Sequence, residues 1–307
     1  MQQVEADRGA RRPRLGNILV ATDFSAGAAS AVARAALLPI TPGSAITLLH
    51  VLPSDGAAEA EAAARRALAQ AAVAARAATQ AAGQTDVDVF TALAHGTPFV
   101  EIIRSARDTR AQLIVLGRHG RRAFRDLVLG STAERVIRKG DTPVLVVTAQ
   151  AAGPYRRPLV AVDGSDTSRR AFELALRVVG PDVRTIEVVH AYEVDHEGAL
   201  RRTGLPDQEL RAYRLQSKNA ARALVETFLA ACGDDGRAAR VALRRGDPRR
   251  VILRVVAQRR ADLLALGTHG RSGLAQLLIG SVAEAVVRMV SCDVLVARPV
   301  HFAFALP

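Results

Sequence analysis

The sequence is poor in aromatic residues, cysteine and lysine. It has no tryptophan, and aromatic residues are 4% of its 307 positions, so we expect cores built from Ala, Val, Leu and Ile. The two cysteines, Cys232 and Cys292, have neither metal-ligand spacing nor a disulfide framework, which favours reduced thiols in a cytoplasmic protein. No segment approaches the roughly 18 consecutive apolar residues of a membrane helix. The first 14 residues have no apolar run typical of a secretory signal.

The net charge of +12 comes almost entirely from arginine, because Lys139 and Lys218 are the only lysines among 42 basic residues. A basic surface of this kind can indicate nucleic-acid binding. Here, however, the arginines are scattered through helical patterns and mixed with Asp and Glu, and aromatic stacking platforms are missing. We therefore favour a compositional bias and expect no nucleic-acid partner.

One glycine-rich stretch occurs twice. "LGRHGRRAFRDLVLGST" begins at Leu116 and "LGTHGRSGLAQLLIGSV" at Leu266, 150 residues later, and both have the spacing G-x2-G-x9-G-S. Nearer each start, "NILVATDFS" and "RPLVAVDGS" match at a separation of 140 residues. Repeats of this length indicate duplication of a whole domain. We predict one domain over residues 15–150 and a second over residues 157–299.

Each copy alternates short apolar runs with helical patterns. Five runs per copy read as buried strands; the first are 18–22 and 159–162, and the last are 144–147 and 294–296. In each copy the helix before the fourth strand starts with a capping residue followed by proline, in "TPFVEIIRSARD" and "DPRRVILRVVAQ". Strands that alternate with helices predict an α/β fold, with a parallel sheet covered by helices on both faces.

The repeated loop has the features of an anion-binding turn. It leaves a strand and enters a helix, and ligands of open α/β sheets bind beyond such strand ends. Glycines allow close approach of the backbone to a ligand, and the N–H groups at the helix start favour phosphate. The spacing is neither a Walker A loop nor a dinucleotide fingerprint. We infer a phosphate cradle in each copy.

These motifs resemble the universal stress protein family. The resemblance rests on "VATDFS" and "VAVDGS", on the two glycine loops and on the closing "PVLVV", and it covers residues 17–299 as a tandem pair. It implies two doubly wound domains, each a five-stranded parallel sheet in the order 3-2-1-4-5. It also implies that the closing strands pair the two copies as an internal pseudo-dimer, with a further homodimer as an alternative.

The resemblance implies an adenine nucleotide, ATP or a relative, in each copy, with Mg²⁺ as an optional companion. In the first copy the implied binding residues are Asp23, Val51, Gly117, His119, Gly120, Gly130, Ser131 and Thr132. In the second copy they are Asp163, Ala191, Gly267, His269, Gly270, Gly280, Ser281 and Val282. We expect a stress-response protein that acts as a regulatory binding module.

Several alternatives stay open. His119 and His269 are candidate general bases of a slow metal-dependent nucleotide hydrolase or nucleotidyl transferase, but backbone positioning is the interpretation we favour. Asp23 and Asp163 could instead cap the following helices. Arg118, Arg121, Arg122 and Arg125 could hold phosphate or crowd the mouth of the first site. No catalytic triad, metal cluster or carboxylate pair is visible, so we expect at most weak ATPase activity.

Overall fold

The computed structural model describes residues 13–55, 57–120, 129–148, 150–180, 183, 185–194, 197, 206–268 and 280–299. Each half begins with a buried strand that leads into a serine-capped helix. In the first half β1 (Ile18–Ala21) precedes α1 (Ala26–Ala36), whose N-cap Ser25 accepts a hydrogen bond from the Ala28 amide. In the second half β6 (Pro158–Ala161) precedes α5 (Asp166–Val178), which Ser165 caps in the same way.

The remaining elements follow the predicted alternation of strands and helices. The first half continues with β2 (Ser44–Leu52), α2 (Ala58–Ala81), β3 (Val87–His95), α3 (Pro98–Asp108), β4 (Leu113–Gly117), α4 (Ser131–Lys139) and β5 (Val144–Val147). The second half continues with β7 (Glu187–Tyr192), α6 (Asp207–Ala231), α7 (Gly233–Arg237), β8 (Arg240–Arg245), α8 (Pro248–Arg259), β9 (Leu263–Gly267), α9 (Ser281–Met289) and β10 (Asp293–Ala297). The short helix α7 is an element that the sequence patterns did not predict.

These strands form one sheet in the order β3-β2-β1-β4-β5-β10-β9-β6-β7-β8. Pairing is parallel within each half, as expected for strands joined by helical crossovers. The two halves meet at β5 and β10, which pair antiparallel with Leu145 opposite Leu295. The predicted α/β fold class is confirmed, and the closing strands join the two halves as an internal pseudo-dimer.

Two apolar layers cover the sheet, one on each face. Residues of α1, α2, α5 and α6 pack on one face, and residues of α3, α4, α8 and α9 pack on the other. Strands buried on both faces are nearly continuous apolar runs, as the sequence "VLVV" of β5 shows. Within the described residues, no helix has both the length and the apolar character needed to cross a membrane.

Two buried arginines reach from one half into the other. Arg118, directly after β4, donates to the backbone carbonyls of Arg288 and Val290 at the end of α9. Arg298, directly after β10, donates to the carbonyls of Arg138 (3.1 Å) and Gly140 (2.8 Å) at the end of α4. Cations at helix C-termini satisfy orphan carbonyls and oppose the helix dipole. Each half therefore holds the final turn of the other half's glycine-loop helix.

A buried carboxylate adds a second link between the halves. Asp293 is 2% exposed and accepts hydrogen bonds from Arg34 Nε (3.1 Å), Tyr155 Oη (2.7 Å) and the Thr148 amide (2.8 Å). The Arg34 guanidinium also lies 4.1 Å from the centre of the Tyr155 ring. Burial, with the neighbouring Asp293, raises the pKa of Tyr155 well above its usual value of 10.0. The buried Asp293 carboxylate thus has three hydrogen-bond donors, and a buried charge requires partners of this kind.

Candidate functional site

A cavity of about 980 Å³ opens in the first half at the carboxyl ends of β1, β2 and β4. β1 lies between β2 and β4, so the cavity is at the point where the strand order reverses. The site residues predicted for the first half all line it. They are Asp23, Val51, Gly117, His119, Gly120, Gly130, Ser131 and Thr132. The fold thus collects in one place residues that are up to 109 positions apart.

Asp23 and Gly120 meet across the cavity wall. Asp23 lies in the turn after β1, where its Oδ1 accepts the Ser25 amide at 3.0 Å. A Cβ added to Gly120 would lie 2.6 Å from Asp23 Oδ2. Any side chain at Gly120 would therefore displace the carboxylate. Helix capping and ligand binding do not compete here, because Ser25 supplies the cap of α1.

Close backbone contacts explain two further glycines. A Cβ at Gly117 would lie 2.6 Å from the carbonyl group of Gly27, in the first turn of α1, and a Cβ at Gly27 would lie 2.5 Å from His119 O. The loop after β4 therefore packs directly on the start of α1. Sequence reasoning missed Gly27, although a glycine in the first turn of an alanine-rich helix is a usable signal. The matching position of the second half is Thr167.

The helices α4 and α9 start without a side-chain cap. Their N-cap residues, Gly130 and Gly280, have no side chain, and neither cap makes a side-chain hydrogen bond. Instead the Gly130 amide donates to Arg118 O (2.9 Å) and the Gly280 amide to Thr268 O (2.7 Å), which fixes the entry of the chain. A helix start leaves its first N–H groups without intrahelical partners. At α4, the residues of that first turn, Ser131 and Thr132, line the cavity.

A histidine braces the aspartate turn in each half. Nδ1 of His50 is 2.7 Å from Thr22 O, and Nδ1 of His190 is 2.7 Å from Val162 O. Both carbonyls belong to the residue immediately before the aspartate, so these histidines hold the turn rather than face a ligand through that nitrogen. His119 also contributes its backbone, because Ser25 Oγ donates to its carbonyl at 3.5 Å.

The two aspartate turns share a left-handed residue but not its side chain. Phe24 has φ 63° and Gly164 has φ 82°. The ring of Phe24 packs on His50 with centroids 4.4 Å apart. In the second half Leu224 occupies the corresponding space, since a Cβ at Gly164 would lie 3.0 Å from Leu224 Cδ2. Of the two aspartate turns, the first is the one that places a bulky residue in the unfavourable left-handed conformation.

The second half repeats the frame at the positions that the structure describes. Asp163 Oδ1 accepts the Ser165 amide (3.0 Å) and Ser165 Oγ (2.6 Å). Ala191 lies near the end of β7, Gly267 ends β9, and Ser281 and Val282 begin α9. A Cβ at Gly267 would lie 2.8 Å from the Thr167 side chain. The predicted residues His269 and Gly270 lie outside the described residues.

Arg118 does not hold phosphate. It is 4% exposed, and its guanidinium points into the contact between the halves, where desolvation lowers its pKa. Arg121, Arg122 and Arg125 lie outside the described residues. The cavity has another cation that sequence reasoning missed, Arg135, one turn into α4. Its signal was its place one helical turn after the Gly-Ser start.

No group of three or more His, Cys, Asp or Glu side chains suited to a metal ion occurs in the described parts of the chain. The cavity brings one carboxylate, Asp23, to a helix start. That arrangement can bind a ligand with a hydroxyl-bearing centre and an anionic end. No Ser-His-Asp or carboxylate-pair geometry for covalent or acid–base catalysis is formed by the cavity residues named above.

Comparison with known proteins identifies the family that both halves match. Residues 15–148 and 154–298 each match the universal stress protein family. The universal stress protein Mb2028c of Mycobacterium bovis is 29% identical over 220 residues, which is 69% of this chain and 70% of that protein. YxiE of Bacillus subtilis is 25% identical over 150 residues, 47% of this chain and 99% of its own length. The crystal structure of a universal stress protein from Archaeoglobus fulgidus superimposes with a TM-score of 0.63 at 22% identity, covering 92% of this chain and 98% of that one.

Proposed function

The chain belongs to the universal stress protein family, and we propose that each half binds ATP or a related adenine nucleotide and that the protein works as a regulatory binding module. The observation that carries the proposal is the cavity of about 980 Å³, which joins an aspartate turn to an uncapped helix start. Its volume falls in the range of small-molecule sites, roughly 300–1,000 Å³.

The lining of the cavity supplies groups that suit the three parts of a nucleotide. Apolar side chains, among them Leu49, Val51 and Ile102, line the end nearest β2, and an adenine ring would pack there. Asp23 would accept hydrogen bonds from ribose hydroxyls. The first turn of α4 would receive the phosphates, because its N–H groups and positive dipole end favour anions.

The regulatory part of the proposal follows from where the glycine loop is attached. The loop starts beside Gly27 of α1 and ends at Gly130, and Arg118 ties its first residues to α9. A nucleotide held by this loop would alter a segment already bound to the other half. We place the protein in the cytoplasm, in agreement with two unbridged cysteines. We propose domain limits of 15–150 and 157–299.

The experiment is to denature the purified protein and quantify the released adenine nucleotides, after saturation with ATP. We expect close to two per chain. Gly120→Val should lower the number to near one, because the added Cβ would displace Asp23. Gly180→Ala is the matched control, since a Cβ at Gly180 meets nothing within 4 Å.

Absence of nucleotide, together with no rise in melting temperature on adding ATP, would contradict the proposal. Two nucleotides per chain retained by a folded Gly120→Val protein would place the first site elsewhere. His119, the candidate general base of the hydrolase alternative, lines the cavity. Phosphate release is therefore measured on the same preparations before they are denatured. Metal-dependent turnover that His119→Ala abolishes would favour the hydrolase alternative.

A further inference from the structure

The mouths of the two candidate sites differ in charge. Four positions on or beside the helices of the candidate sites differ between the halves, and each second-half residue lies 150 positions after its counterpart. The pairs are Thr97 and Asp247, Phe99 and Arg249, Arg135 and Ala285, and Lys139 and Met289. The first half thus carries its basic residues on α4. The second half carries a basic and an acidic residue on the segment that begins α8.

In the first half a cation faces the cavity, and it has no carboxylate partner among the residues that the structure describes. Arg135 lines the cavity, and its guanidinium lies 5.5 Å from the centre of the buried Phe99 ring. The nearest acid in sequence, Glu134, is already engaged by Arg138 (3.0 Å) and Arg288 (3.1 Å). Within the described residues, no ion pair is formed by Arg135. The guanidinium lies over the Phe99 ring, and an aromatic contact of this kind leaves N–H donors for an anion.

In the second half the counterpart of Arg135 is uncharged, and an arginine at the start of α8 lies beside an acid. Ala285 has no charge to offer, and the exposed Met289 replaces the lysine. Arg249, the counterpart of Phe99, has its Nε 3.9 Å from Asp247 Oδ2, so this basic residue of α8 is close to an acid. The other carboxylate oxygen of Asp247 accepts the Arg250 amide at 3.1 Å, which fixes a negative charge at the start of α8.

We infer that Arg135 makes the first site selective for the more highly charged phosphate chain, so that it prefers ATP to AMP, and that the second site lacks this preference. The inference rests on the proposed function. A guanidinium held beside the helix start adds charge-assisted hydrogen bonds to the terminal phosphates. At the second mouth, the carboxylate of Asp247 offsets the attraction of Arg249 for the same phosphates.

The test compares ATP, AMP and adenosine by isothermal titration of the full chain. In the wild type we expect two ATP affinities about tenfold apart, and adenosine affinities that differ much less. Arg135→Ala gives the first site the residue of the second, and should weaken the tighter ATP site about tenfold while adenosine changes less than about twofold. Ala285→Arg should tighten the weaker ATP site. The matched control is Arg104→Ala, which removes an exposed arginine outside the cavity.

The outcomes separate the two proposals. An equal loss of ATP and adenosine in Arg135→Ala would show a structural role and overturn the selectivity. Unchanged ATP affinity in that variant would overturn it as well, while leaving nucleotide binding itself intact. A wild type that binds none of the three ligands would overturn the proposed function and this inference together. The ATP affinity of the wild type should fall as the salt concentration rises. A weaker salt dependence in Arg135→Ala would support direct contact between Arg135 and phosphate.

Discussion

The two halves of this chain share the contacts that stabilise each half and differ in the contacts that join them. Both have a serine-capped helix after the first strand, a histidine that braces the aspartate turn and a glycine at the start of the loop helix. The contacts across the interface are not repeated in this way. Arg118 of the first half matches Thr268 of the second, and Arg298 of the second matches Thr148 of the first.

The crossed arginines reach equivalent carbonyls from inequivalent positions. The acceptors of Arg118 are at the end of α9, and those of Arg298 are at the end of α4, 150 positions earlier. One arginine follows β4 of its domain, however, whereas the other follows β10, the last strand. The helix ends of both copies therefore receive an arginine at equivalent carbonyls, but this arginine comes from a different position in each half. Duplication within one chain frees the two copies from strict symmetry.

The largest effect is expected when each interface arginine is replaced by the residue of the other half. Arg118→Thr leaves the carbonyls of Arg288 and Val290 buried without their donor, and Arg298→Thr does the same for Arg138 and Gly140. Loss of such charged hydrogen bonds should lower the free energy of unfolding by about 2–4 kcal/mol in each variant. Urea unfolding followed by circular dichroism measures the change.

The control for these variants is again Arg104→Ala, because exposed ion pairs such as Arg104–Glu101 contribute at most about 1 kcal/mol. If Arg118→Thr were no more destabilising than this control, the arginine would not hold the halves together. A strong effect of Arg118→Thr with none of Arg298→Thr would show that the two crossed contacts are not energetically equivalent.

A medium effect is expected at the left-handed position of the aspartate turns. Gly164→Ala forces a side chain into φ 82° and toward Leu224, and should cost about 1–2 kcal/mol. Phe24→Gly relieves the same strain in the first half but loses the packing on His50, so its net change should stay within about 1 kcal/mol. Thermal unfolding of both variants gives the comparison. Equal destabilisation by the two changes would contradict a strain-based difference between the turns.

The smallest effect is a pH dependence that belongs to the second half, where both cysteines lie. Burial raises the pKa of Cys292 from 9.0 to about 12, and that of Cys232 to about 11. A raised folded-state pKa means that stability is complete below pH 9 and is lost above it, because the unfolded thiol ionises first. Between about pH 8 and pH 9.5 the buried Cys292 should cost about 1 kcal/mol or less.

Cys292→Ala should make that alkaline loss shallower, whatever the variant does to stability at pH 8. The measurement is the urea-unfolding free energy of wild type and variant at both pH values. An identical slope in the two proteins would assign the loss to other groups, of which Cys232 is the first candidate because burial also raises its pKa.

Local patterns were sufficient to predict the alternating α/β fold and the repeated glycine loops, whereas the residues of the first cavity were named from the family resemblance. Strand runs, capping serines and the repeated glycines are each written within a few neighbouring residues, so periodicity and spacing reveal them. The convergence of Asp23 on the glycine loop followed from the strand order that the family resemblance implied. The ligand roles of the cavity residues stay predictions.

Features that depend on distant contacts could not be predicted in this way. Arg118 stands inside the glycine loop and therefore suggested phosphate binding, yet its partners are 170 and 172 positions away. The need for glycine at Gly27 arises from the carbonyl of His119. Arg135 has a local signal in its place one helical turn after the Gly-Ser start, but its contact with the Phe99 ring joins it to another helix. In each case the deciding neighbour belongs to another part of the chain.

The antiparallel pair of β5 and β10 also determines how the protein responds to dilution. Two separate chains joined through such a strand pair would dissociate as their concentration fell, and their stability would fall with it. Here both strands belong to one covalent chain, so each meets the other at a high effective concentration that does not vary with the amount of protein. The paired arrangement of the two candidate sites is consequently the same in a cell that holds few copies as in one that holds many.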